Sequence, residues 1–329
     1  MKLKESLQQY NLSVAIPNEL FTQLLQMKED KELKPVHIGF TYSYIYLQTY
    51  MYRYSTYSTY VPSVEEIKEL FGYNPAEQRV NYIIKKNGLL EKKNILTTTN
   101  EFPVISDMVY DEYGIDRVPK ITTIQEFCNE YEYETVDEWR GQMGITRRTT
   151  CKYPVFGFER YPEEDENGVY YEEGTFFNIS DTTMIDMDTF LFCMSTDDIG
   201  VNGFYVYAYL LDKSNKFNGD FNATYMRIAK ETGIGLNSIT NIMNALRSHN
   251  LITTVHNVEY FSFAVPKKDR VPSTHKVNTS ADFSADKIEY EKLKFISDKW
   301  YKEKFKDKFK NEDTFTHDGI DIDISDLPF

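Results

Sequence analysis

The chain of 329 residues is long enough for two domains, and its apolar fraction of 41% can supply a core for each. It contains no run of about eighteen apolar residues and no charged leader followed by an apolar stretch, so we expect neither a membrane span nor a secretory signal. These absences predict a cytoplasmic protein. The net charge of -14 argues at first against nucleic acid, because proteins bind DNA largely by neutralising its phosphates.

The negative charge is concentrated in the middle of the chain. Between Asp107 and Gly200 there are 22 acidic and 7 basic residues, and the rest of the chain carries 29 acidic and 30 basic ones. The flanking regions are therefore nearly neutral and contain local basic clusters. We interpret residues 107–174, which include the stretch ERYPEEDENGVYYEEG, as a solvated acidic linker or insertion that repels a phosphate backbone.

Signals for metal binding and catalysis are weak. The three cysteines, Cys128, Cys151 and Cys193, have no Cys or His near them at a zinc-site spacing, so we expect reduced, buried thiols. The chain lacks a GxxxxGK[ST] phosphate loop, and its five histidines include no His-x-His pair. Asp321, Asp323 and Asp326 near its end have no turn glycine among them, unlike a Ca²⁺ loop. We predict a non-enzyme without metal or cofactor.

The strongest motif lies in FNATYMRIAKETGIGLNSITNIMNALRSHNLITTVHNVEYFSF, residues 221–263. Gly233 provides a tight turn after a short helix, and Asn237 is a suitable N-cap for the next helix. The apolar residues of this second helix recur at i, i+3, i+4 and i+7, which predicts a buried stripe. They are Ile239, Ile242, Met243 and Leu246.

The opposite face of this helix carries short polar side chains and one arginine, which are groups that reach base edges and phosphates in a major groove. The predicted DNA contacts are Ser238, Thr240, Asn241, Asn244 and Arg247. Two β-rich runs, LITTV and VEYFSF, follow with two turn residues between them, which predicts a hairpin. Helix, turn, helix and hairpin make a winged helix. The alternative is a small helical core whose polar face is only solvated.

A similar order of signals occurs in VPSVEEIKELFGYNPAEQRVNYIIKKNGLLEKKNILTTTNEFPVIS, residues 61–106. Ser63 and Glu66 have the spacing of a capping box, Gly72 supplies the turn, and Pro75 suits the first position of the next helix. The outward-facing residues predicted to contact DNA are Gln78, Arg79, Asn81, Lys85 and Lys86, with Lys92 and Lys93 in the wing region. We expect this unit to clamp phosphates and the second unit to specify the sequence.

Aligning the two regions reveals an internal repeat over about 80 residues in each, with corresponding residues 161 to 164 positions apart. This period indicates a duplicated domain rather than a solenoid. Before each motif stands an aromatic-rich helix, GFTYSYIYLQTYMYRY in the first region and GFYVYAYLLDK in the second. We interpret these as the packing helices of the two cores. The alternative is that their tyrosines stack on unpaired bases.

The predicted fold class is α+β, with two tandem winged-helix domains, residues 1–106 and 175–265, joined by the acidic segment 107–174. Residues 266–284 contain two prolines and few apolar residues, and are predicted to be a linker. Residues 285–310 are predicted to form a basic amphipathic helix that contacts phosphates or packs on the second unit. Residues 311–329 are predicted to be a disordered, acidic, partner-binding tail.

The chain ends with DGIDIDISDLPF, in which aspartates alternate with isoleucines before Leu-Pro-Phe. The stretch DIDISDLPF resembles the acidic tip of bacterial single-stranded-DNA-binding proteins. That family's tip binds replication-restart, primosome and repair proteins, so the resemblance implies such host proteins as partners. The phenylalanine is expected to fill an apolar pocket while the aspartates steer the tail to a basic surface. The partner-binding residues are then Asp321, Asp323, Asp326, Leu327, Pro328 and Phe329.

Two tandem winged helices in a chain of this size resemble the replication initiators of plasmids and phages, a resemblance of architecture without a shared sequence signature. It implies a double-stranded origin or operator as the DNA partner and recruitment of host replication proteins through the tail. The alternatives are a winged-helix transcriptional regulator of a mobile element and a decoy that titrates host proteins. This domain organisation is compatible with a homodimer, and the sequence leaves the oligomeric state open.

Overall fold

The computed structural model describes residues 2–8, 12–110, 117–131, 136–164, 170–266 and 269–304. The chain combines helices with sheets, and it divides into two compact units, Met1–Ala208 and Tyr209–Phe329. The division falls within one long helix, Gly200–Lys216, rather than in the acidic segment. Within the described residues, no helix is long and apolar enough to span a membrane.

The first unit is built from short helices, two-stranded sheets and one long buried helix. Its helices are α1 (Lys2–Gln8), α2 (Glu19–Glu29), α3 (Ile38–Arg53), α4 (Val64–Leu70), α5 (Asn81–Ile84), α6 (Leu89–Lys92), α7 (Ile124–Tyr131), α8 (Val136–Gln142), α9 (Val155–Phe158), α10 (Met187–Ser195) and the first half of α11 (Gly200–Lys216). Its strands are β1 (Ser13–Pro17), β2 (Leu96–Thr99), β3 (Pro103–Tyr110), β4 (Arg117–Thr123), β5 (Cys151–Pro154), β6 (Tyr161–Glu164), β7 (Tyr170–Glu173) and β8 (Thr182–Asp186).

Helix α3 forms the centre of the first unit. Every residue from Ile38 to Tyr52 is buried, as expected for a helix that is apolar and aromatic on all sides. The Tyr46 ring lies 4.9 Å from Phe190 of α10 and 5.0 Å from Phe204 of α11, measured between ring centroids. The interpretation of these tyrosines as packing residues is therefore confirmed, because their rings are buried in the core of the unit.

Part of the element order is similar in the two regions that were predicted to be duplicated. Strand β1 and then α2 precede the aromatic helix α3, and strand β8 and then α10 precede the aromatic helix α11. The two strands pair antiparallel with each other, from Ser13 opposite Asp186 to Pro17 opposite Thr182. Strands β1 and β8 thus form one small sheet in the first unit. The sequence-based start of the second domain at residue 175 is corrected, because β8 and α10 belong to the first unit.

The predicted helix-turn-helix of the first unit forms only in part. Helix α4 begins with the predicted capping box, and Gly72 has the positive φ of 76° that its turn requires. Pro75 does not begin a long helix, and only α5 and α6, four residues each, form between residues 81 and 92. The break between them has extended backbone at Lys85 and a positive φ of 59° at Asn87. The KKNG sequence favours this break because Asn and Gly are poor helix formers.

The predicted hairpin after this region is corrected as well. Strand β2 pairs antiparallel with β5, from Leu96 opposite Pro154 to Thr99 opposite Cys151. The next strand, β3, pairs instead with β4. The predicted domain boundary at residue 106 therefore falls inside β3. The described residues between 107 and 174 form strands and helices of the first unit, so this segment is a structured insertion and not a linker.

The second unit contains a helix-turn-helix backed by a small sheet. Its elements are the second half of α11, β9 (Phe221–Ala223), α12 (Tyr225–Thr232), α13 (Leu236–Ser248), β10 (Ile252–Val255), β11 (Tyr260–Phe261), β12 (Ser273–Val277), β13 (Lys294–Phe295) and α14 (Asp298–Lys304). The three-stranded sheet has the order β10-β12-β9, and both pairings are antiparallel. A helix-turn-helix that leads into such a sheet is a winged-helix-like arrangement.

The strand partner in this wing differs from the predicted one. Strand β10 pairs with β12, which lies in the segment 266–284 predicted to be a linker, while β11 pairs parallel with β13. The wing is therefore the long connection 256–272 and not a two-residue turn. Strand β12, with the sequence STHKV, is short, mostly polar and preceded by a proline, so the local pattern contains little strand signal.

The predicted helix 285–310 is largely replaced by a strap, which we define as residues 284–301. Its first part is extended and bonds through its backbone: Ser284 N–H donates to the His249 carbonyl at 2.9 Å and Ile288 N–H to the Ser248 carbonyl at 2.7 Å. Helix begins only at Asp298, whose Oδ1 accepts from Ser262 Oγ at 2.7 Å. These contacts with α13 and the wing override the helical pattern. The end of the predicted helix and the tail 311–329 lie outside the described residues.

A buried histidine connects the three strands of the wing sheet. His275 of β12 is only 1% exposed, and its Nε2 donates to the Ala223 carbonyl of β9 at 3.1 Å. Its Nδ1 then accepts from Thr254 Oγ1 of β10 at 3.1 Å. Burial, together with the positive charge of Arg247, lowers the pKa of His275 to about 4. His275 is thus neutral in the folded sheet.

We predict that acid destabilises the fold through this residue. In the unfolded chain His275 has a pKa near 6.5, so the unfolded state binds the proton first as pH falls. The contribution of His275 to the free energy of unfolding is complete above pH 6.5. It is lost as pH falls toward 4, and the loss amounts to as much as about 3 kcal/mol. Denaturant unfolding of wild type and His275→Gln at several pH values measures it. The pH dependence should be clearly smaller in the variant, and equal slopes would contradict the assignment.

Candidate nucleic-acid interface

Local sequence defines where the two helices of the motif begin and end. Thr224 caps α12, its Oγ1 accepting from Arg227 N–H at 3.2 Å, and Gly233 ends that helix with a φ of 73°. The N-cap of α13 is Gly235 and not Asn237. Helix α13 thus begins two residues earlier than predicted, because glycine also tolerates the N-cap position. As a result Asn237 lies exposed in its first turn.

The apolar stripe of α13 is confirmed. All four predicted residues, Ile239, Ile242, Met243 and Leu246, are buried. On α12, Tyr225 and Ile228 are buried too, so the pair of helices contributes to the core of the unit. Because these side chains fix the rotation of α13 about its axis, the polar residues between them are directed away from the core.

The exposed face of α13 is shorter than the sequence indicates. Ser238 and Asn241 are exposed as predicted, and Asn237 joins them. Thr240 is half-buried, with its Oγ1 donating to the Leu236 carbonyl at 3.1 Å, and Asn244 is half-buried as well. The side chains available to an external ligand are therefore concentrated in the first half of the helix. This is the part of a recognition helix that usually contacts base edges in helix-turn-helix proteins.

Arg247 does not lie on this face, which corrects its prediction as a DNA contact. Its side chain is only 5% exposed, with the guanidinium 4.5 Å from the ring centroid of Tyr290 in the strap. One guanidinium nitrogen donates to Asn244 Oδ1 at 2.6 Å. The strap covers the second half of α13, so Arg247 holds a long-range contact that the local sequence does not reveal.

Positive charge lies on α12 and in the wing. Lys230 of α12 is exposed, and Arg227 pairs with Glu231 at 2.7 Å. In the wing, exposed Arg270 donates to the Phe263 and Val265 carbonyls at 3.0 Å each. Sequence analysis missed Arg270 because the segment 266–284 was interpreted as a linker. Helix α13 itself contains no Asp or Glu, so an anionic ligand meets no carboxylate on that helix.

The site residues predicted in the first unit are distributed over several short segments. Gln78 and Arg79 are exposed, but Arg79 makes two bonds to the Glu77 carboxylate, at 3.0 and 2.6 Å. This pairing lowers the pKa of Glu77 to about 2 and offsets the charge of the arginine. Asn81 is half-buried and bonds to the side chain of Gln78. These residues do not form one continuous helix face.

The lysines of that unit divide into two groups. Lys85 and Lys86 are exposed and line a cleft. Lys92 and Lys93 are exposed at the end of α6, and Lys93 pairs with Glu32 at 2.5 Å. The predicted phosphate clamp is therefore not assembled as a single surface on one helix.

The described residues contain no group of three or more His, Cys, Asp or Glu side chains that could hold a metal ion. Cys151 and Cys193 are buried free thiols, as predicted, and burial raises the pKa of both. Cys128 is only half-buried. The predicted partner-binding residues of the tail lie outside the described residues.

Comparison with known families supports the second unit as a DNA-binding domain. Residues 199–252 match the family described as a helix-turn-helix domain, a match that runs from α11 through α12 and α13 to the start of β10. Neither the curated proteins nor the solved structures gave a significant match. The family match and the observed sheet together support a helix-turn-helix domain of the winged-helix-like, DNA-binding class.

Asn241 and Arg247, which both belong to α13, should respond differently to substitution. Asn241→Ala removes an exposed side chain, so stability should change by less than about 0.5 kcal/mol while specific duplex binding weakens by about 1 to 3 kcal/mol. Arg247→Ala removes a buried contact with Asn244 and Tyr290, so stability should fall by about 1 to 3 kcal/mol. Thermal unfolding and binding to a duplex selected from a random pool measure both effects. Unchanged duplex binding by folded Asn241→Ala would contradict the assignment of this face.

Proposed function

We propose that this protein binds double-stranded DNA in a sequence-specific manner and initiates the replication of a plasmid or phage. The observation that carries the DNA part is the exposed polar start of α13 within a domain of the helix-turn-helix class. In this proposal Asn237, Ser238 and Asn241 contact base edges in the major groove. Lys230 and the wing cation Arg270 contact backbone phosphates.

The sequence of the tail favours a role in replication initiation over simple repression of transcription. The stretch DIDISDLPF resembles the tip of bacterial single-stranded-DNA-binding proteins, so we propose that it binds host replication or primosome proteins. The aspartates Asp321, Asp323 and Asp326 steer it to a basic surface, and Leu327, Pro328 and Phe329 dock in an apolar pocket. A regulator that acts only by covering a promoter has no need of such a ligand.

The strap gives the tail a defined starting point. Tyr301 is buried, and the Trp300 ring packs edge-on against Tyr260 of the wing at 5.6 Å between centroids. The chain is therefore fixed to the second unit up to helix α14, which ends at Lys304, and the tail begins seven positions later in the sequence. A host protein bound to the tail is kept close to the DNA that α13 contacts, which raises its effective concentration there. A decoy that only titrates host proteins would have no use for this attachment.

We predict that the tail can be inactivated without affecting DNA binding. Phe329→Ala removes the proposed anchor, so duplex binding should persist while replication from the cognate origin is lost. Ile320→Ala, a matched loss of one apolar side chain in the same tail, should retain replication. Plasmid copy number and duplex binding are the measurements.

A peptide of residues 318–329 tests the same partner directly. It should compete with the tip of the host single-strand-binding protein, and added salt should weaken its binding because screened aspartates contribute to it. Normal copy number with Phe329→Ala, together with no competition by the peptide, would remove the case for initiation. A winged-helix regulator would then be the better description.

A further inference from the structure

A cleft of about 730 Å³ lies in the first unit, bordered by α3, α4 and the paired strands β2 and β5. Its volume is in the range of pockets that bind small molecules and cofactors. The cleft lies in a different unit from α13 and includes none of the residues proposed to contact base edges.

The rim of this cleft is strongly cationic. Five basic side chains line it, and no Asp or Glu does so among the described residues. Two of them are neutralised from outside, Arg147 by Asp137 and Lys152 by Glu91 at 2.9 Å. In the described part of the chain, no carboxylate pairs with the other three, which are the exposed Lys85, Lys86 and Arg148. In a protein of net charge -14, this local excess favours an anionic ligand.

The floor of the cleft has a different chemistry. Tyr44, Gln48 and Tyr57 line it, and each is only 3% exposed. The Tyr57 hydroxyl donates to Gln48 Oε1 at 2.9 Å, which fixes the amide and leaves its Nε2 group as a donor toward the cleft. Within the described residues, Nε2 has no hydrogen-bond acceptor. Aromatic rings beside an unused amide donor suit a planar ring that carries acceptor atoms.

A nucleotide combines the two chemistries, since its base is planar and rich in acceptors and its phosphate is anionic. We propose that this cleft binds a nucleotide of a single nucleic-acid strand, with phosphates at Lys85, Lys86 and Arg148 and one base directed toward Gln48. A duplex does not fit this description, because its bases are paired and unavailable. The activity goes beyond the proposed duplex binding and does not depend on it.

The arrangement of the cations favours a strand over a free nucleotide. They come from two chain segments, 85–86 and 148, and are exposed at the rim rather than gathered around one deep phosphate position. No glycine lines the cleft in the described residues, so the glycine-rich backbone loop that usually binds a di- or triphosphate is missing there. Sequence-tolerant grooves for single strands combine cations along the backbone with rings for the bases.

The role of the three cations in phosphate binding can be tested with a short labelled DNA strand. Its binding to the full-length protein is measured by fluorescence anisotropy at several salt concentrations. Lys85→Ala/Lys86→Ala/Arg148→Ala should lower affinity about a hundredfold near 0.1 M salt and reduce the slope of log K against log salt by about 2. The triple variant Lys28→Ala/Lys31→Ala/Lys120→Ala removes the same charge outside the cleft lining and should change affinity less than about twofold. Equal losses in both triple variants would show a nonspecific charge effect and overturn the site.

Two further comparisons test whether a base enters the cleft and whether the bound nucleotide belongs to a strand or is free. Thr150→Trp fills the mouth of the cleft from an exposed position, so it should weaken binding of a normal strand about tenfold and leave an abasic strand unaffected. A free deoxynucleotide should compete poorly with the labelled strand. If it competes as well as the strand does, the ligand is a free nucleotide and the strand assignment is wrong. If the abasic and normal strands bind equally, no base enters the cleft.

Both Arg148→Ala and Thr150→Trp should retain selection of the duplex site by α13, which separates this inference from the proposed function. Circular dichroism and thermal unfolding of each variant confirm that it is folded. Unchanged single-strand affinity in folded Thr150→Trp and in the Lys85, Lys86 and Arg148 variant would overturn the proposal.

Discussion

Burial of helix α3 on every side is the constraint on which the first unit depends. A helix surrounded by protein needs partners around its whole circumference, and α2, α10 and α11 supply aromatic rings for it. Close approach is possible at Gly39, where a Cβ would lie 2.8 Å from the Val201 carbonyl oxygen. A larger residue there would force α3 and α11 apart. The two aromatic helices, α3 and α11, therefore pack directly against each other in the first unit.

In the second unit, the strap determines which part of α13 is a surface. The cation of Arg247 lies over the Tyr290 ring, and backbone bonds from Ser284 and Ile288 reach the end of the helix. The second half of the helix is thereby a structural element, while the first half keeps Asn237, Ser238 and Asn241 exposed. The strap thus limits the exposed face of α13 to the first half of the helix. Rigid placement of a few polar groups is what discrimination between base pairs requires.

Sequence reasoning succeeded where the signal was local. The turn glycine at Gly233, the buried stripe of α13 and the capping box of α4 depend on residues within a few positions of each other, and all three are present. The errors have a common physical origin in partners that are distant along the chain. Strand β10 pairs with β12 rather than with the next β-rich run, and the helical pattern after residue 285 yields to backbone bonds with α13 and the wing. The cap at Gly235 is the exception, because there two residues only two positions apart, Gly235 and Asn237, compete for one local role.

The cleft shows why charge averaged over a segment hides a site. Arg147 and Arg148 belong to the most acidic region of the chain, so composition alone assigns them to a surface that repels phosphates. Pairing of β2 with β5 brings the residues before β5 close to those after β2, and Arg147 and Arg148 then line the same cavity as Lys85 and Lys86. The acidic groups of the insertion do not line that cavity among the described residues. Because the field in a cleft depends on the charges that line it and on its low-dielectric walls, the local cations outweigh the negative average of the segment.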